Sequence, residues 1–243
     1  HQQSLDSDGF TVAGSAGNSN ASGRNYASWN WKANGAGSSN TDGSITSTVS
    51  ANTTSGFSIV KWTGNSTSGA TVGHGLGVVP KMIIVKTTAR AGNWVTYHHT
   101  LGATKYLELN NTGAVGTSTA AWNDTSPTSS VFSLGSWSNT NDNGYGMIAY
   151  CFAEKTGYSK FGRFTANGNA DNAFVYCGFK PAWVMMKCDD TTDGWSKWYM
   201  FDTARSPENM NIKELEANGN SAESGNGADY AQIDMLSNGF KIR

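Results

Sequence analysis

The chain predicts an all-β protein: two tandem, related antiparallel β-sandwich units, jelly-roll or lectin-like, with little helix. Three observations carry that expectation. The stretch Gly77-Val78-Val79-Pro80-Lys81-Met82-Ile83-Ile84-Val85-Lys86 recurs about a hundred residues later as Gly178-Phe179-Lys180-Pro181-Ala182-Trp183-Val184-Met185-Met186-Lys187. A short apolar run after a Pro-closed turn reads as a central strand buried on both faces. Gly is abundant at 29, Pro scarce at 4, and 12% of residues are aromatic, nine of them Trp. Short strands joined by Gly/Asn/Ser turns account for that mixture, and the aromatic load argues against disorder.

Taken in order, residues 1–33 read as the terminal strands of an incomplete preceding repeat, or as a donated strand. Phe10-Thr11-Val12 matches Phe132-Ser133-Leu134, a Gly/Asn/Ser turn follows, and Trp29-Asn30-Trp31 matches Tyr150-Cys151-Phe152. Tyr26–Lys32 alternates aromatic and small polar residues, the period of a strand with one buried face. Residues 34–55 read as a Gly/Ser/Asn-rich linker with a weak edge strand over Ile45–Ala51.

Residues 56–154 form the first full repeat, closing on Met147–Ala153, and residues 155–243 the second, which lacks that last strand. In the second copy Trp195 answers Trp94, and Lys213–Glu216 answers Lys105–Glu108. An unfilled strand slot exposes a row of backbone groups, so either the chain is a piece of a longer array or a strand is donated to complete it. The start at His1, without a signal-peptide pattern, suggests a processed product or a piece of something longer. Only Ser206–Asn218 has helical propensity, worth a turn or two.

A net charge of −1 with 14% charged residues leaves no clustered cationic field, so nucleic acid is not an expected partner. No run of eighteen apolar residues occurs, and membrane insertion is not expected. Cys151, Cys177 and Cys188 lack metal-type spacing; one pair could bridge, but buried free thiols are the expectation.

Candidate chemistry is sparse. A glycan hydrolase needs two carboxyl groups facing across a cleft. Glu108 is the one acidic residue of the first repeat expected inside a strand, and Glu214 and Glu216 would lie side by side. His74, His98 and His99 could suggest a metal or a base, yet their counterparts (Val175 or Tyr176, and Tyr199) are not histidines. His98 and His99 would also point to opposite strand faces. Asp189, Asp190 and Asp193 form an acidic turn that could hold Ca²⁺, although the spacing is not that of a recognised calcium loop, and no other cofactor is expected. Trp94 and Trp195 could stack on sugars or anchor the core. Trp122 and Trp137 lie in polar loops and are the better candidates for an exposed contact surface. No catalytic residues are assigned, and the chain reads as not an enzyme.

The blocks Val72–Gly77 with Pro80–Lys86, Leu101–Leu107, Ala149–Glu154, Tyr26–Ala33 and Phe201–Arg205 resemble a repeat domain of tailed-phage virion-associated proteins, notably marine and cyanobacterial ones. The resemblance implies a place on a virion surface, of the tail-fibre or appendage kind, among other virion subunits, and supplies no catalytic residues. With the polar, low-charge surface it leads to the expectation of a homo-oligomer that binds host glycan. A polysaccharide depolymerase, and a secreted adhesin or filament subunit, are the alternatives.

Overall fold

The computed structural model describes residues 2–12, 14, 19–169, 171–224 and 232–243. It is all-β, and contacts divide it after Trp31 into two compact units, His1–Trp31 and Lys32–Arg243. Both copies of the Pro-initiated stretch fall in the second.

The first unit is built on a hairpin of β1 (Gln2–Leu5) and β2 (Phe10–Val12). Asp6 accepts from the Ser4 and Thr11 hydroxyls, both at 2.8 Å, and so ties the turn to the strands. The Gly/Asn/Ser turn that follows lies partly outside the described residues. Tyr26–Lys32, expected as a strand, forms none; the Tyr26 hydroxyl instead accepts the Ala21 N–H at 2.9 Å.

The second unit opens with β3 (Ser38–Asn40), β4 (Ser47–Asn52), β5 (Phe57–Thr63) and β6 (Ala70–Gly73). Then come β7 (Met82–Thr87), β8 (Val95–His98), β9 (Lys105–Glu108), β10 (Gly116–Thr117), the short helix α1 (Thr119–Trp122) and β11 (Val131–Leu134). Helix α2 (Ser138–Asn141) and β12 (Gly146–Phe152) complete the first copy. Eight of these strands make one antiparallel sheet in the order β10-β9-β8-β7-β12-β5-β4-β3, while β6 and β11 pair separately. Within the stretch read as a linker, β4 lies one strand in from the edge and β3 forms the edge.

The Pro80 strand is central, as its apolar run requires. Ile83 and Val85 enter one core with Val60, Val72, Phe132 and Leu134, whereas Met82 and Ile84 enter another with Leu107 and Trp198. Fully burying side chains of this kind contributes about 1.5–3 kcal/mol each. β12 was expected to close the unit; it sits between β5 and β7, paired in full register to both.

The second copy comprises β13 (Phe174–Tyr176), β14 (Trp183–Lys187), β15 (Trp198–Asp202), β16 (Leu215–Glu216), β17 (Ile233–Leu236) and β18 (Gly239–Ile242). These form two three-stranded sheets, β13-β18-β17 and β14-β15-β16. The Pro181 strand is therefore not the doubly buried strand expected: it is an edge, with Val184 its single buried residue. Its predecessor is flanked by β8 and β12; here the place of β12 holds no strand among the described residues. Residues 160–166, within the segment that follows Gly157 as β5 follows Gly56, are correspondingly irregular.

Both helices escaped sequence reasoning, and Ser206–Asn218 holds no helix but two isolated bridges and β16. α1 is set by local chemistry. The Ser118 hydroxyl accepts the Ala120 N–H, and Asn123 closes the turn at φ 53°. It packs on bare backbone at Gly135, where a Cβ would lie 2.2 Å from the Ala120 carbonyl oxygen.

Candidate functional site

The two copies can be compared through strand register. Sixteen residues separate Met82 from its partner His98, and nineteen separate Trp183 from its partner Asp202, so the second β-hairpin loop is three residues longer. The tryptophan that answers Trp94 is therefore Trp198, not Trp195. Each donates its backbone N–H to an asparagine side chain, Trp94 to Asn110 at 2.8 Å and Trp198 to Asn218 at 2.7 Å. Each also accepts from the residue after the next strand, Leu109 or Ala217. The match of Lys213–Glu216 to Lys105–Glu108 agrees with this register, since Tyr199 faces Glu216 as Val95 faces Glu108.

The three extra residues hold Trp195 out at the tip of the longer loop, where it is 63% exposed. Its backbone is pinned at both ends. Asp193 accepts the Trp195 N–H at 3.0 Å, and the Tyr199 hydroxyl donates to the Trp195 carbonyl oxygen, also at 3.0 Å. Asp193 further accepts from Ser196 and Thr191, bonds that draw its carboxyl below the ordinary value. The Tyr199 phenol is pushed up to about 12, by burial first and then by Glu214, Glu216 and Asp193. Lys187 staples the loop base by donating to the carbonyl oxygens of Cys188, Ser196 and Thr112. In the first copy Lys86 does the same to Thr87 and Arg90. A pinned backbone carrying an exposed indole is a pre-organised contact group, because little backbone freedom remains to be lost on binding and the indole has only two side-chain torsions.

The other tryptophan candidates are elsewhere. Trp122 is 2% exposed, edge-on to Tyr97 at 5.8 Å, because α1 turns it into the core. Trp137 packs against the same core and meets Tyr106 at 4.9 Å. Neither forms the exposed surface expected of it. Trp94 stacks on Tyr150 at 6.3 Å and belongs to the packing.

The acidic turn does not assemble a calcium site. Asp189 pairs with Arg163 at 3.0 Å, Asp190 accepts from the Cys188 thiol at 3.1 Å, and Asp193 is committed to the Trp195 turn. Among the described residues no three ligating side chains converge. His74 is fully buried: Nδ1 accepts the Leu76 N–H, which leaves Nε2 to donate to the Thr128 carbonyl oxygen. His98 and His99 do not diverge as expected. β8 ends at His98, and the turn brings the two rings to 5.3 Å. They hold Thr100 and the Phe161 carbonyl oxygen respectively. The strand carboxylates are structural too: Glu108 accepts from Asn93 and Asn111, and Glu216 from Lys197 at 2.7 Å. Asp202, at the register position of His98, caps the following turn by accepting from the Ala204 and Arg205 N–H groups.

Sequence reasoning missed Phe174 and Tyr176, 45% and 64% exposed on one face of edge strand β13. Their two-residue spacing was visible, but the burial of the matching first-copy segment concealed its meaning. Tyr145 and Tyr158, 51% and 59% exposed, lie on turns. One shallow polar depression of about 170 Å³ is lined by Asn34, Ser38, Ser39, Asn40, Val49 and Gly75 among others. It is smaller than usual ligand pockets and has no titratable side chain in its walls.

A family described as a domain of unknown function, DUF7483, matches residues 1–243. The chain belongs to that family. No curated protein and no solved structure matches it. Among the described residues of this family member, no helix is long and apolar enough to cross a membrane.

Proposed function

We infer that the chain is a non-enzymatic component of a tailed-phage particle surface, of the tail-fibre or appendage kind, which helps build the appendage and recognises host glycan. The virion assignment rests on the block resemblance in the sequence. The glycan reading is supported chiefly by Trp195, an indole held outward on a loop whose backbone is bonded on both sides. Single aromatic platforms bind weakly, and several copies on one particle multiply a modest affinity.

The test is binding of the purified chain to host-surface polysaccharide, with Trp195→Ala beside it. Retention by the native chain and loss of at least tenfold in the variant is the expected result. Blank glycan arrays and cell-surface assays would leave only the structural role. New reducing ends or unsaturated sugars after mixing would instead favour a depolymerase.

A further inference from the structure

The second copy repeats the β7-β8-β9 block of the first beside an unfilled position. β14, β15 and β16 reproduce the register of β7, β8 and β9, and Thr203 N–H donates to Ala182 as His99 N–H donates to Lys81. Backbone groups of alternate residues point to opposite sides of a strand. Val184 and Met186 therefore bond to β15, and the backbone N–H and C=O of Met185 face the other way. In the first copy that outward side belongs to β12, which sets Tyr150 opposite Ile84, the counterpart of Met185. Among the described residues no strand pairs with β14 on this side.

We propose that this edge of β14 accepts residues 26–32 of a second copy of the chain as an added antiparallel strand. The occupant is argued from the chain itself. Trp29-Asn30-Trp31 carries aromatics two apart, as Tyr150-Cys151-Phe152 does in β12, with Ala27 two residues before Trp29 as Ile148 stands before Tyr150. The segment forms no strand of its own, and Tyr26 and Trp31 are 51% and 40% exposed. By the β12 register, Trp29 lies opposite Met185 and Ala27 opposite Lys187. Main-chain bonds supply the affinity and the alternating side chains the specificity, the general mode of strand addition. Each chain then has one donor and one acceptor, and such a head-to-tail contact closes into a ring or runs on as a filament. The contact is independent of what Trp195 binds.

Complementation by two variants of the full chain tests this, read by sedimentation and light scattering. Trp29→Pro removes the N–H that faces Met185 in this register, and Met185→Pro removes one from the accepting edge. The native chain should assemble with rising concentration, each variant alone should remain monomeric, and their mixture should stop at a one-to-one dimer. A synthetic peptide of residues 26–33 should cap the edge and lower assembly of the native chain at least tenfold. Should Met185→Pro fail to fold, Trp29→Pro and the peptide still decide. A native chain that stays monomeric at about 100 µM, roughly a hundred times a micromolar dissociation constant, or assembly that neither Trp29→Pro nor the peptide reduces, overturns the proposal.

Discussion

The indole N–H of Trp198 donates to the backbone carbonyl oxygen of Glu108 at 3.0 Å, bonding the second copy of the repeated motif into the first. Trp198 is 5% exposed and shares a core with Met82, Ile84 and Leu107. Trp198→Phe keeps most of the packing but removes the indole donor, leaving that carbonyl the longer bond from the Asn111 N–H at 3.4 Å, at a cost of about 0.5–1.5 kcal/mol. Trp198→Ala also opens a cavity and should cost about 3–5 kcal/mol. Urea midpoints of the two variants check this, and an unchanged midpoint in Trp198→Phe would show that the hydrogen bond contributes nothing beyond packing.

Trp122 and Trp195 should respond oppositely to the same change. Trp122→Ala empties a core position and should lose about 3–5 kcal/mol of stability. Trp195→Ala removes an exposed ring and should stay within about 0.5 kcal/mol of the native chain, while lowering glycan binding. Denaturation and binding measured on both variants separate scaffold from contact group.

Acid should weaken the fold through His98. Burial lowers its pKa to about 4, with His99 adding to the depression and Asp189 opposing it. The unfolded chain takes up that proton near pH 6.5. Between about pH 6.5 and 4 the unfolded state therefore binds more protons, and stability present above pH 6.5 is lost as the pH falls. The slope for this one group reaches at most about 1.4 kcal/mol per pH unit. His74 acts in the same direction, its pKa lowered by burial against the raising effects of the Thr128 carbonyl bond and Asp42. His98→Gln should flatten the stability profile between pH 7 and 5 without abolishing it, as read from urea midpoints.

The three thiols should separate by reactivity. Cys151 is fully buried, and burial pushes its pKa up to about 12. Cys188 is exposed, and Cys177 is half-buried with its pKa raised by burial against the pull of Lys160. The expectation of buried free thiols thus holds for Cys151 and not for Cys188. A maleimide should modify Cys188 first and Cys151 about a hundredfold more slowly or only on unfolding, with labelled sites read by mass spectrometry.

The all-β class and the central Pro80 strand were legible because local pattern dictates them. An apolar run bounded by Gly and Pro has little other way to satisfy its backbone and bury its side chains. The Lys213–Glu216 match was legible for the same reason. The tryptophan match was not: Trp195 and Trp198 stand three residues apart, and a loop insertion moves one out of register without altering the local pattern. The polar surroundings of Trp122 pointed outward, while the Ser118 cap and bare Gly135 turn it in.

By itself the sequence determined the all-β class, the doubly buried place of Met82–Val85 and the repetition of the motif, all of which follow from short-range periodicity. Only the tertiary structure decided which tryptophan is exposed, that the histidines and carboxylates are engaged by neighbouring groups, and that β14 is an edge. Those properties depend on which strand lies beside another, a long-range pairing that residue spacing along one chain does not encode.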